Sequence, residues 1–174
     1  MRAKKIAALL AMPVFLWLSL PAEAVAEPSK AECLLLSEIG KDGTLEVRLG
    51  QLAQSRATNK EVLAFAKRLV EDHTRANDAL IKAAKEDHIA LPMELSISQK
   101  HEMADFISTP NDAFDRKYMD DMVAGHRKIL EAVAMEIKTG SGNSKKWAEQ
   151  TLPIIQAHQK DAERLDAKLS AHAK

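Results

Sequence analysis

Apolar positions return every three or four residues along almost the whole chain, in segments rich in Ala, Leu, Lys and Glu and poor in β-branched runs. This spacing predicts an all-α protein built on four amphipathic helices. The first covers about Ser29–Arg56, with Gly40 and Gly43 as points where it would bend or split. The second starts at Thr58 or Asn59, either of which suits an N-cap with Glu61 behind it, and runs to about His88. The third opens at Asn111 or Asp112 and reaches about Lys138. The stretch TGSGNS at 139–144 then breaks the pattern, and its Gly140 suits a C-cap. The fourth runs from about Ser144 to Ala171 across Pro153, where a kink or one-turn offset is expected.

Four such helices with short first and last turns make a four-helix bundle over residues 29–171, its turn-linked pairs antiparallel. The segment Ile89–Asn111 is longer, is bounded by Pro92 and Pro110, and carries a short extra helix between Ser96 and Ile107. It is long enough either to cap one end of the bundle or to cross its full length. The ferritin-like crossover is the preferred expectation.

Three helices carry one histidine each on the apolar stripe. At 100° per residue, His73 shares its face with Val62, Ala66, Leu69, Leu80 and Ala84. His126 goes with Met119, Met122, Leu130 and Val133, and His158 with Ile154, Leu165 and Leu169. Their heights agree as well. Each stands about 14 or 15 residues from the start of its helix, so at about 1.5 Å per residue they differ by a few ångströms whichever way the helices run. Glu46 of the first helix, with Ile39, Leu49 and Ala53, lies within a turn or two of that level, and Asp115 and Tyr118 are further polar groups near the His126 face, although Asp115 is three turns away. A polar layer at mid-bundle is the prediction. Asp72, 100° round from His73, is expected to face solvent or a neighbouring helix edge.

Buried imidazoles need partners for their nitrogens or lose a few kcal/mol in desolvation. Two chemistries meet that need. The preferred one is a structural hydrogen-bond network among the histidines, Glu46, Tyr118 and trapped water. The alternative is a mononuclear site in which His73, His126, His158 and Glu46 hold one zinc, copper or iron ion for storage or buffering. A weaker third reading makes the same layer a small-molecule or redox enzyme. Di-iron oxygen chemistry is excluded by spacing, because it needs two Glu-x-x-His pairs. Here Val70, Val123 and Ile155 stand three residues before the three histidines. Met119, Met122 and Met135 read as core filler. There is no glycine-rich phosphate loop and no Cys-x-x-Cys pair.

Composition narrows the setting. Arg2, Lys4 and Lys5, the apolar run Ile6–Leu20 and the small residues of PAEAVAEP form a secretory signal peptide, cut after Ala24 or Ala26. The run is too short to span a membrane, and no later segment approaches that length, so a soluble periplasmic or otherwise exported chain is expected. The whole chain balances 25 basic against 25 acidic residues. The leader to Ala24 holds three basic and one acidic, so the remainder carries 22 and 24, a net of −2. That balance and only five aromatics beyond Ala24 argue against nucleic acid as a partner. The single cysteine, Cys33, reads as a partly buried thiol.

Three stretches also resemble a known family. EVLAFAKRLVEDHTRANDAL (61–80), AFDRKYMDDMVAGHRKIL (113–130) and TLPIIQAHQKDAERL (151–165) are similar to the bacterial exported domain-of-unknown-function family 4142. The matching positions are Phe65, Ala66, Val70, Asp72, His73 and Asn77; Phe114, Asp115, Tyr118 and His126; and Leu152, Pro153 and His158. The likeness spans about residues 33–170. It implies a ferritin-like bundle and export, and it supplies no reaction. Members are often labelled outer membrane proteins, yet neither alternating barrel strands nor a lipid-attachment box is present in this sequence.

Overall fold

The computed structural model describes residues 27–172, so the leader expected over residues 1–24 lies outside the described residues. Five helices follow in order: α1 (Lys30–Arg56), α2 (Lys60–Glu86), α3 (Ile97–Ser108), α4 (Asn111–Thr139) and α5 (Gly142–His172). Their starts are set by local chemistry. Ser29 and Glu32 form a reciprocal capping box on α1, and Ser96 and Gln99 form another on α3. Asn59, rather than Thr58, caps α2 by accepting from the amides of Glu61 and Val62.

α1 runs unbroken through Gly40 and Gly43, against the expectation of a bend or split. Both glycines lie on its buried face. A Cβ on Gly43 would collide with the Asn77 side chain of α2, and one on Gly40 would sit 2.7 Å from the Met93 sulfur. These glycines therefore permit close packing instead of breaking the helix. α5 likewise continues across Pro153.

Polar contacts at the two ends of the bundle fix the direction of each helix. The Arg56 guanidinium, at the end of α1, donates to the Phe106 and Ile107 carbonyls at 3.0 and 2.9 Å and to Asn111 Oδ1 at the start of α4. Asp115, in the second turn of α4, accepts from the Asn59 and Thr58 amides at 2.7 and 3.1 Å. It thus holds the start of α2 and does not belong to the mid-bundle layer. At the opposite end Asp87, just past α2, accepts from the Asn143 and Ser144 amides at 2.8 and 2.7 Å at the start of α5. α2 and α4 are therefore parallel, and the chain between them must travel the bundle's length, roughly 40 Å for 27 residues of helix. α3 lies on that path against α1, where Gln99 Nε2 donates to Asp42 Oδ1 at 2.7 Å. The connection crosses; it does not cap.

The core is divided in two. One cluster, with Leu49, Phe65, Leu69, Phe114, Tyr118, Met122 and Leu165, fills the end where α2 and α4 begin. The other, with Leu36, Ile39, Leu80, Ile129, Val133, Trp147 and Ile155, fills the opposite end. His73, His126 and His158 fall between them in sequence on α2, α4 and α5, while Glu46 of α1 stands next to Leu45 at the edge of the first cluster. Ile154, expected on the His158 face, is exposed, and Ile155 takes the buried place. Both positions lie within 60° of the histidine direction, so one helical wheel does not separate them.

Near the α4–α5 turn, Glu136 is fully buried with neither carboxylate oxygen hydrogen-bonded. Burial, followed by the charge of Glu32, raises its pKa to about 7. Above about pH 4.5 the unfolded chain ionises this group while the folded chain keeps its proton, so stability falls as pH rises toward about 7. Glu136→Gln should remove that loss and stabilise the protein by about 1–3 kcal/mol at about pH 8, with little gain near pH 4.5. Urea unfolding of both proteins across this range measures it.

Candidate functional site

The three histidines meet at the level their spacing predicts. Ring centroids of His73, His126 and His158 are 5.3–5.5 Å apart, pair by pair. One nitrogen from each ring lies within 4.8 Å of the other two. All three are buried, and so is Glu46, at 4% exposure. Phe65 floors the cluster, its ring 6.3 Å from that of His126 and 6.1 Å from that of His158.

Hydrogen bonding fixes which nitrogens are free. His126 Nδ1 is 2.9 Å from the Met122 carbonyl, one helical turn back. A carbonyl only accepts, so Nδ1 carries the proton and Nε2 keeps a bare lone pair. That Nε2 is buried without a partner. His158 Nε2 stands 2.9 Å from Asp72 Oδ2, which places its proton there and frees Nδ1, 3.4 Å from His73 Nε2. Asp72 also accepts from Arg75, and of the two placements expected for it, solvent or a neighbouring helix edge, it takes the second, orienting His158 of α5 from the rim. The sequence reading missed this residue because its role depends on α5 lying beside α2. The Asp-His order at 72–73 was its only local signal.

Charge is scarce in the layer. Burial pulls the pKa of His73 well below the usual value and that of His126 down to about 4, and neighbouring imidazoles add to both shifts. Burial also lowers that of His158, against the opposing pull of Asp72. Glu46 is pushed well above the carboxylate range by burial, with Asp42 and Glu102 adding to it. At neutral pH the three imidazoles are thus neutral, and burial disfavours the charged form of Glu46 beside them. Glu46 Oε2 lies 3.1 Å from His73 Nε2, and Oε1 lies 3.2 Å from His126 Nδ1. These are contacts without hydrogen-bond geometry, and both Glu46 oxygens remain unpartnered. The Tyr118 hydroxyl is also buried and unpartnered, its pKa raised by burial and by Glu46. Of the layer expected from sequence, the structure assembles His73, His126, His158 and Glu46. Met119 and Met122 are buried in the core, while Met135 is exposed.

The family described as "Domain of unknown function (DUF4142)" matches residues 18–165. The chain belongs to the DUF4142 family. No curated protein matches it. Among solved structures, this DUF4142 chain is similar to a DUF305 fragment from Deinococcus radiodurans, with 12% identity and a TM-score of 0.69. The likeness covers 82% of this chain and 99% of that one, and at such identity it speaks for the helical fold alone. No described helix is long and apolar enough to cross a membrane.

Asp72→Ala should leave the His158 N–H without its acceptor and destabilise the metal-free protein by about 1–3 kcal/mol. Arg75→Ala, which removes only an exposed partner of Asp72, should cost well under 1 kcal/mol, about the worth of a surface pair. Thermal unfolding of both variants tests the difference.

Proposed function

We propose that this DUF4142 protein is an exported bundle that binds one divalent transition-metal ion at mid-height. His73 Nε2, His126 Nε2 and His158 Nδ1 are the ligands, and Glu46 is the fourth. The observation that carries this reading is the set of unpartnered atoms. His126 Nε2 and both Glu46 oxygens are buried together with no hydrogen bond. A purely structural network would be expected to satisfy them, since each orphaned buried group costs about 1–3 kcal/mol.

Spacing supports three of these donors, His73, His158 and Glu46, and the three histidines each place a nitrogen within 4.8 Å of the others. Two ligands about 2.0–2.1 Å from a tetrahedral ion are about 3.3–3.4 Å apart. The 3.4 Å between His158 Nδ1 and His73 Nε2 and the 3.1 Å between His73 Nε2 and Glu46 Oε2 are close to that edge. The proton-bearing nitrogens of His126 and His158 donate to a carbonyl and a carboxylate, the outer contacts that orient metal-binding imidazoles. Neutral nitrogen donors with a carboxylate suit zinc, copper or iron. Export rests on the basic, apolar and small-residue regions of residues 1–26.

The structural-layer reading draws on the His158–His73 contact, which serves as a hydrogen bond if His73 Nε2 carries the proton. Metal analysis of untagged protein separates the two. Near-stoichiometric zinc, copper or iron, lost in His73→Ala/His126→Ala, is the expected result. Readded metal at a thousandfold excess over Kd should stabilise the apoprotein by about 4 kcal/mol, roughly 8–16 °C in Tm. Metal-free protein whose Tm ignores every divalent ion would leave only the structural layer.

A further inference from the structure

One cavity outside the histidine cluster reaches Glu46, which touches the cluster. About 100 Å³ of space opens between α1, α3 and α4, and Glu46 lies at its inner end. Its outer wall carries Asp42 from α1, Glu102 from α3 and Asp121 from α4, three carboxylates on three different helices. Gly125 lines the passage between them and Glu46. A Cβ at Gly125 would sit 3.2 Å from Glu46 Oε1, so the absent side chain leaves that oxygen facing the opening. Glu46 is thus a buried carboxylate with no hydrogen-bond partner, touching the histidines on one side and the cavity on the other.

We propose that this acidic cavity is the route by which a divalent cation reaches the histidine centre, with Glu102 capturing it at the mouth and Glu46 passing it inward. The inference rests on the metal-centre reading above and adds how the site is loaded. Two of the outer carboxylates are held by lysines: Lys128 Nζ lies 2.9 Å from Asp42 Oδ2, and Lys117 Nζ lies 2.7 Å from Asp121 Oδ2. Glu102 has no such ion pair among the described residues, and it is the carboxylate available to an incoming ion. An ion moving inward would replace the ammonium groups as partner of Asp42 and Asp121, and those flexible side chains can swing to solvent. The second opening, lined by Asp72, His73 and Asn77 among Ile39, Trp147 and Ile155, offers only about 20 Å³, about the room of a single water and too little for a hydrated cation to pass. The crossover helix therefore does more than connect α2 to α4, because it brings Glu102 over the mouth.

Stopped-flow uptake of Co²⁺ by metal-free protein, read from the cobalt absorption bands, tests the route. Wild-type association should slow as salt is added. Glu102→Gln should slow association about tenfold at low salt and flatten that salt dependence. Gly125→Val should slow it by narrowing the passage at unchanged charge. A route slows loading and release together, so the equilibrium affinity of both variants should stay within about threefold of wild type, under 1 kcal/mol by the usual conversion. Circular dichroism confirms folding, and the half-buried Glu102, where Gln keeps the side-chain shape, keeps the test open if Gly125→Val fails to fold. Unchanged rates in folded Glu102→Gln would overturn the route while leaving the centre intact. Slower association with a matching loss of affinity would also overturn it, making Glu102 a ligand. Wild-type protein that develops no cobalt spectrum would overturn the centre and the route with it.

Discussion

The structure turns on one constraint: a polar layer is held inside an apolar core that it cuts in two. Hydrophobic clusters above and below bury the side chains that drive folding, and the three histidines lie between them, with Glu46 at the edge of the first. Burial disfavours charge in the layer, holding the imidazoles neutral and pushing the pKa of Glu46 upward. Leaving Glu46 and His126 Nε2 unpaired there opposes folding by a few kcal/mol, and the flanking clusters supply enough apolar burial to tolerate it. Neutral donors, fixed tautomers and dry surroundings are also the conditions under which a nitrogen-rich site binds metal well. The same burial that costs stability prepares the chemistry.

Holding the layer level is the task of the helix ends. Asp115 at one end and Asp87 at the other each gather backbone amides at a helix start, and Arg56 ties three segments together by their carbonyls and Asn111. These contacts set the vertical register of α1, α2, α4 and α5. A slip of one residue would move a histidine about 1.5 Å along its helix and 100° around it, out of the cluster. The crossover follows from the same register, since parallel α2 and α4 oblige the connection to run the bundle's length. Its helix then closes the side of the bundle nearest Glu46.

Much of this was legible from periodicity. Helix number, extents within a few residues, the short helix in the long connection and the three inward histidines all follow from apolar spacing, because each concerns one helix and its own stripe. Glycine was misread in α1 for the same reason. Propensity alone treats Gly40 and Gly43 as breakers, whereas their use is to let Met93 and Asn77 approach. Asp115 shares the His126 face but stands three turns away, a distance that spacing gives; what it does there, holding the start of α2, needed the neighbouring helix. Ile154 and Ile155 were exchanged because a single wheel leaves them within one face.

What the sequence by itself determined is the set of surfaces: which residues are apolar, which face each histidine takes, and at what height along its helix. Those are properties of a 3.6-residue period and need no partner. What only the tertiary structure decided is everything set by a second helix. It paired Asp72 with His158, aimed Glu46 at His73, left His126 Nε2 unpartnered and opened a cavity beside Gly125. Lateral neighbours and their rotation are fixed by packing among four helices at once, and no single stretch of sequence records that sum.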